Sequence, residues 1–380
     1  MNETDNETPG SKRPLPTLPW DADDRRNLPP MALRVLWLAA VGCLVLALAT
    51  LIVPRAFHRE TSMQPAQLAE VRFPTAQIAL LDRVDATVFQ PTSSGRPESG
   101  LYGSVRSYDS GLSKFHEGID IAPLQRDRRQ RPLDPVYAVA DGKIVYINRS
   151  AGRSSYGKYI VLEHADPVGG VYTLYAHLAT VDKALREAQY VAMGRELGIM
   201  GNTSTLGVPV SRSHLHFEVG LLMNTRFGHI TKTPHGIYDG RNLIGLDPIA
   251  FFGFKRDTSK SSFGDFLAQV PPAFTLVVKT ASCPDYFQRY SGLWSGEAYR
   301  GGPITIQVSE GGVPLQGRHA TPQETSRLGK STVTVLSVDE AILGRNARRL
   351  VTRKKGNWET GVRIDFWMQL LTHSSKIPAA

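Results

Sequence analysis

The sequence predicts a mainly β protein whose main body is an antiparallel β-sandwich or barrel. Three observations carry this. Short runs rich in Val, Ile and Tyr recur at close spacing between Gly100 and Phe252, which is the signature of an all-β fold. Gly and Asp interrupt the runs, as they do at turns between strands. No segment between them has a helical hydrophobic period.

Taken in order, residues 1–34 are polar and Pro-rich with mixed charges, a composition that predicts a disordered cytoplasmic tail. Val35 to Val53 is uncharged and almost wholly apolar. A bilayer core of ~30 Å needs about 20 such residues in a helix, so residues 35–53 are expected to be a transmembrane anchor. A cleaved signal peptide competes, because Ala47-Leu48-Ala49 resembles a cleavage site. The uncleaved anchor is favoured, since both the leading segment and the apolar run are long for a signal peptide. Arg25, Arg26 and Arg34 before the run, against Arg55 and Arg59 after it, place the N-terminus inside. The expected location is therefore the cytoplasmic (inner) membrane, single-pass, with the residues after the span extracytoplasmic or periplasmic.

Residues 54–95 read as a polar linker with a short strand near Gln77–Leu81. Residues 96–254 form the β-rich body, with strands expected at Val136–Val139, Gly142–Ile147, Tyr159–Leu162 and Val171–Tyr175. Residues 255–380 are expected to be a separate C-terminal, β-rich domain of unknown role. Its candidate strands are Phe274–Thr280, Ile304–Val308, Ser331–Val338 and Gly361–Trp367, with a turn at Gly311-Gly312 and a short helix over Ala341–Arg349.

The formal net charge is +9. Such a balance suits nucleic acid, an anionic membrane surface or an acidic polymer such as cell wall, or simply solubility. The basic stretch Arg345–Lys355 reads as a solvated face or as a contact for anionic lipid or wall polymer. The two cysteines, Cys43 and Cys283, give no disulfide framework.

Four of the ten histidines fall in suggestive contexts. His116 and Asp120 are four residues apart in Phe115-His116-Glu117-Gly118-Ile119-Asp120-Ile121. On one strand they would share a face. His214 and His216, two apart, would also project together. His177 closes the run Val171–Leu178. Imidazole and carboxylate suit Zn²⁺, and a catalytic zinc keeps three protein ligands and an open position. Two histidines and one aspartate would supply that. The rival reading, a helical H-E-x-x-H variant with Glu117 as base, is disfavoured by Gly118 and by β-branched Ile119 and Ile121. In a strand, Glu117 would face away from the metal.

These clusters resemble those of the lysostaphin/LytM-type zinc metallopeptidases, the peptidoglycan endopeptidase family. The resemblance spans roughly Gly100 to Phe252. It rests on the H-x-x-x-D motif at His116/Asp120, Pro135 to Gly142, Leu174-Tyr175-Ala176-His177-Leu178 and the H-x-H motif at His214/His216. It implies a fold of the duplicated hybrid motif type, with a groove for one Zn²⁺. His116, Asp120 and His216 would be the metal ligands, and His177 and His214 the catalytic side chains. It also implies cleavage of the peptide stems or crosslinks of peptidoglycan. Expected partners are then peptidoglycan peptide, the cytoplasmic membrane and an envelope protein, with no nucleic acid. The alternative is a non-catalytic wall-binding protein or an activator of a peptidoglycan amidase. Three features depart from the family: a basic insertion at Arg126–Arg131, a long loop Thr203–Arg212, and an insertion from Met223 to Leu246. His164 reads as structural, and His229, His235 and His319 as unremarkable surface or core residues.

Overall fold

The computed structural model describes residues 70–107, 113–258 and 261–373. Among the described residues, twelve strands lie before residue 247. They are β1 (Val105–Ser107), β2 (Ser113–Phe115), β3 (Ile119–Ile121), β4 (Pro135–Tyr137), β5 (Gly142–Asn148), β6 (Tyr159–Asp166), β7 (Gly169–Ala176), β8 (Thr180–Val181), β9 (Tyr190–Val191), β10 (Glu196–Ile199), β11 (Leu215–Leu222) and β12 (Leu243–Leu246). The main sheet runs β12-β11-β7-β6-β5-β9, and β3 also pairs with β11. A second sheet runs β4-β10-β8, and β1 and β2 form a hairpin. All these pairs are antiparallel, as the short interrupted runs predict.

The two faces of the main sheet do different work. On β11, Phe217, Val219 and Leu221 enter the large core. His216 and Glu218, one residue out of phase, project from the other face. There Tyr159, Val161, Tyr172, Leu174, Ala176 and Leu243 form a smaller apolar cluster. Both faces are buried, so the strands read as near-continuous apolar runs rather than strict alternation.

The C-terminal region adds β13 (Phe274–Val278), β14 (Ile304–Val308), β15 (Pro314–His319) and β16 (Val333–Val338), in the order β15-β14-β13-β16. A hairpin of β17 (Val351–Lys354) and β18 (Asn357–Thr360) follows. Gly311-Gly312 does turn the chain between β14 and β15. The core of this region is continuous with that of the first sheets: Phe217, Phe252, Phe263, Phe274, Ile306 and Trp367 belong to one cluster.

Two expected strands are helices. Ile78–Leu81 is a 3-10 turn. Ile364–Thr372 is an α-helix that buries Ile364, Trp367, Leu370 and Leu371, a stripe of helical period. The window Gly361–Trp367 stops before that period shows.

The expected membrane location is corrected. No described helix is long and apolar enough to cross a membrane. The longest, Pro248–Asp257, has 10 residues and so reaches about 15 Å, half of a bilayer core. The segments 1–34 and 35–53, for which a tail and an anchor were expected, lie outside the described residues.

Candidate metal centre and catalytic cleft

Three elements bring His116, Asp120 and His216 together. β3 pairs with β11 so that Asp120 sits opposite His216, and opposite residues share a face. His116 follows the end of β2, with a turn at Glu117-Gly118 between it and β3. A Cβ on Gly118 would lie 2.2 Å from the Phe217 carbonyl oxygen, so this turn packs on β11 only as glycine. The single-strand parity expected for His116 and Asp120 is therefore corrected: a turn and a cross-strand register make the pair. Glu117, expected to face away, lines the same cleft as His116 and His216.

Donor atoms of His116, Asp120 and His216 lie within 4.8 Å of one another, and all three residues are buried. Their tautomers follow from their outer partners. His116 Nδ1 donates to the Leu101 carbonyl at 2.8 Å. A carbonyl can only accept, so His116 Nε2 carries a lone pair inward. His216 Nε2 donates to Glu218 Oε1 at 2.8 Å, leaving Nδ1 inward. Burial alone would push the Glu218 carboxyl up, but hydrogen bonds from His216, Tyr156 and Tyr172 outweigh it and hold it below its ordinary value. It is thus an anionic acceptor.

At the centre, His116 Nε2 lies 3.1 Å from His216 Nδ1 and 3.1 Å from Asp120 Oδ1, and His216 Nδ1 lies 3.0 Å from Asp120 Oδ1. In these tautomers no hydrogen lies between the three atoms. Such lone pairs repel unless positive charge sits among them. The pKa shifts of the two imidazoles run in opposite directions. Burial acts to lower His216, yet Asp120 and Glu218 hold it above its ordinary value. Burial and then Arg106 push His116 down to about 4. Two imidazoles and one carboxylate, each oriented by an outer partner, fit a divalent cation of the zinc type.

His177 and His214 stand beside this centre. Their rings are 4.7 Å apart, and that of His177 is 5.9 Å from His216. His177 Nδ1 donates to the Thr203 carbonyl at 2.8 Å, and His214 Nδ1 to the Arg212 carbonyl at 2.7 Å. Both therefore turn a bare Nε2 away from the backbone. His214 Nε2 is buried without a hydrogen-bond partner and lies 3.4 Å from Asp120 Oδ1. Burial first, then neighbouring histidines, holds His177 well below its ordinary pKa; burial also lowers His214. Both are neutral at pH 7. His177 has φ +60, a conformation uncommon outside glycine and characteristic of functional sites.

The loops around these histidines are tied down. Gly157 (φ +60) lets the chain pass where a Cβ would meet the Thr203 carbonyl at 2.0 Å, the same carbonyl that holds His177. Arg126, from the basic insertion, donates to the carbonyls of Val210 at 3.0 Å and Ser211 at 3.2 Å, so it clamps the long loop before His214.

Sequence reasoning assigned no role to Arg106 or Glu218. Arg106 Nη2 donates to His116 Nε2 at 3.0 Å and to Asp120 Oδ2. Nothing distinguishes Arg106 among the chain's arginines. Glu218 was detectable, being two residues beyond His216 on the same face. His164 takes no part: it is buried, with Nδ1 donating to the Asp141 carbonyl and Nε2 bonded to the Thr173 hydroxyl, both at 2.8 Å.

The chain matches Peptidase family M23 over residues 114–226. No curated protein matches it. Among solved structures, it is similar to a zinc-containing peptidase from Vibrio cholerae at 27% identity, over 40% of this chain and 37% of that one, with TM-score 0.27. It is similar to the catalytic domain of lysostaphin from Staphylococcus simulans at 23% identity, over 40% of this chain and 89% of that one, with TM-score 0.27. Similarity to Helicobacter pylori Csd3 is 18%, over 50% of this chain and 41% of that one, with TM-score 0.25. The chain thus spans 37% of the length of the Vibrio peptidase. The match thus covers the segment that carries His116, Asp120, His177, His214 and His216, and residues 114–226 are similar to peptidase family M23.

Proposed function

We propose that this chain is a zinc metalloendopeptidase that hydrolyses peptide stems or crosslinks of peptidoglycan. One observation carries the reading beyond the family match: three inward lone pairs meet beside two neutral histidines with bare Nε2 atoms. In this reading His116, Asp120 and His216 are the zinc ligands. When bound, Zn²⁺ supplies Lewis acidity that polarises the scissile carbonyl and lowers the pKa of a water towards ~7.

The remaining work falls to His177 and His214. A bare Nε2 accepts the proton of the attacking water, and the same atom then passes it to the leaving amine. The protonated Nε2 of either ring can donate to the developing oxyanion. The backbone carbonyls on Nδ1 hold both rings in the tautomer this needs.

Metal content and turnover test the proposal together. The full chain should carry about one zinc per molecule, and peptidoglycan digested with it should show new termini by mass spectrometry. The Arg106 guanidinium against His116 and Asp120 favours the alternative, a non-catalytic wall-binding protein or amidase activator. Wall binding without new termini would establish that alternative.

A further inference from the structure

The basic insertion after β3 folds back on itself. Leu133 donates its amide to the Gln125 carbonyl at 3.0 Å, and Asp127 to the Arg131 carbonyl at 2.9 Å. The buried Asp134 carboxylate accepts the amides of Leu124 at 2.7 Å and Gln125 at 3.0 Å, which fixes the base of this hairpin. Arg126 stands at its neck. One of its nitrogens, Nη1, donates to the Gln130 carbonyl at 2.8 Å, so the hairpin itself orients the guanidinium.

That guanidinium faces the segment before His214. Val210–Arg212 is a single 3-10 turn, and the last carbonyls of a helical turn lack partners within it. Arg126 supplies them: Nη1 donates to Val210 at 3.0 Å, and Nη2 to Ser211 at 3.2 Å and Ser213 at 3.4 Å. Between these acceptors lies Arg212, whose carbonyl takes the Nδ1–H of His214 at 2.7 Å. The turn's own bonds, from Arg212 to the Pro209 carbonyl and from Ser213 to the Val210 carbonyl, are local and do not fix where the turn sits. His177 has a different anchor. The Thr203 carbonyl that holds it belongs to a residue whose hydroxyl accepts from the Lys158 amide at 2.9 Å and donates to the Leu178 carbonyl at 2.8 Å.

The position of the turn decides where His214 keeps its proton. A neutral imidazole carries one hydrogen, on the nitrogen whose partner accepts it. The Arg212 carbonyl draws it to Nδ1. Asp120 Oδ1, 3.4 Å from Nε2, is the competing acceptor. A turn that drifts gives the proton to Nε2 and leaves no base facing the cleft.

We infer that Arg126 is a positioning residue for His214: it pins the Val210–Arg212 turn so that the Arg212 carbonyl keeps Nε2 bare. The use of that bare nitrogen in catalysis rests on the peptidase reading, whereas the tautomer itself does not. The insertion thereby links the strand that carries Asp120 to the histidine beside it.

The full chain, loaded with zinc and labelled with ¹⁵N-histidine, tests this by NMR at neutral pH. The His214 signal is assigned by its absence from His214→Gln. The wild type should show the Nδ1–H form. Arg126→Lys keeps charge and stem but loses the planar fork, and Arg126→Gln loses the charge as well. Both should move His214 towards the Nε2–H form, leave His177 unchanged and keep about one zinc per chain. On peptidoglycan their kcat should fall about 10²-fold, the scale of a small misplacement, with KM nearly constant. An unchanged His214 tautomer would overturn the assignment, as would a lysine variant as active as the wild type. Loss of zinc, or an equal change at His177, would also overturn it by showing a general loosening of the cleft. A wild type with the Nδ1–H form but no turnover would end the peptidase reading and leave the tautomer comparison to decide the role of Arg126.

Discussion

Two buried histidine regions of the same sheet system differ in one respect that matters. His164 has a protein partner on each ring nitrogen. His116, His177, His214 and His216 each have one nitrogen held by a carbonyl or carboxylate and the other turned toward a shared cleft. Burial alone does not separate the two sets, since all five are buried. The distinction is what the second nitrogen meets: that of His164 is bonded to a neutral hydroxyl away from the cleft, which makes it a brace, whereas those of the other four face the cleft, where His116 Nε2 accepts from the Arg106 guanidinium.

The comparison can be broken most severely at His216. His216→Ala should abolish stoichiometric zinc by plasma emission spectrometry and all turnover on peptidoglycan. Retained zinc would remove it from the ligand set. His177→Ala should keep its zinc and lose about 10²- to 10⁴-fold in kcat, the range of general acid–base catalysis. A variant as active as the wild type would return His177 to the braces. Glu218→Gln should weaken zinc affinity by about 10- to 100-fold, the usual cost of losing an outer partner of a ligand, measured by competition with a chromogenic chelator.

The smallest effect on activity is expected at His164, where the readout is stability. Burial pushes its pKa down to about 4 from 6.5. Between those values the unfolded chain takes up a proton that the folded chain refuses. This site's contribution is therefore complete above pH 6.5 and declines as pH falls towards 4, by on the order of 3 kcal/mol. His164→Asn should flatten that part of the pH–stability curve in denaturant titrations while leaving zinc content unchanged. An unaltered pH slope would show that the decline arises elsewhere.

Much of the chemistry was legible in the sequence because metal-binding motifs are local. His116/Asp120 and His214/His216 announce themselves by spacing, and the strands between them by β-branched runs. The reason for the first pair was not legible. Strand parity was expected, whereas a turn that only Gly118 permits and pairing with β11 place the residues, and both depend on contacts about 100 positions away in sequence. Glu117 was misplaced for the same reason. The outer partners, the Leu101, Thr203 and Arg212 carbonyls, are backbone atoms and leave no mark on residue identity. Helix Ile364–Thr372 escaped because four buried positions at helical spacing need nine residues to show, and the window held seven.

The core that runs without a break from Phe217 through Phe252 and Phe263 to Trp367 leaves the molecule no dispensable half. Trimming after Phe254 would uncover Phe251 and Phe252 and leave a raw apolar surface of the kind that drives aggregation. Proteolytic nicks in the C-terminal sheet would then disturb the distant histidines as surely as a strike on the cleft itself, and the lifetime of the folded molecule would be set by its most easily opened strand.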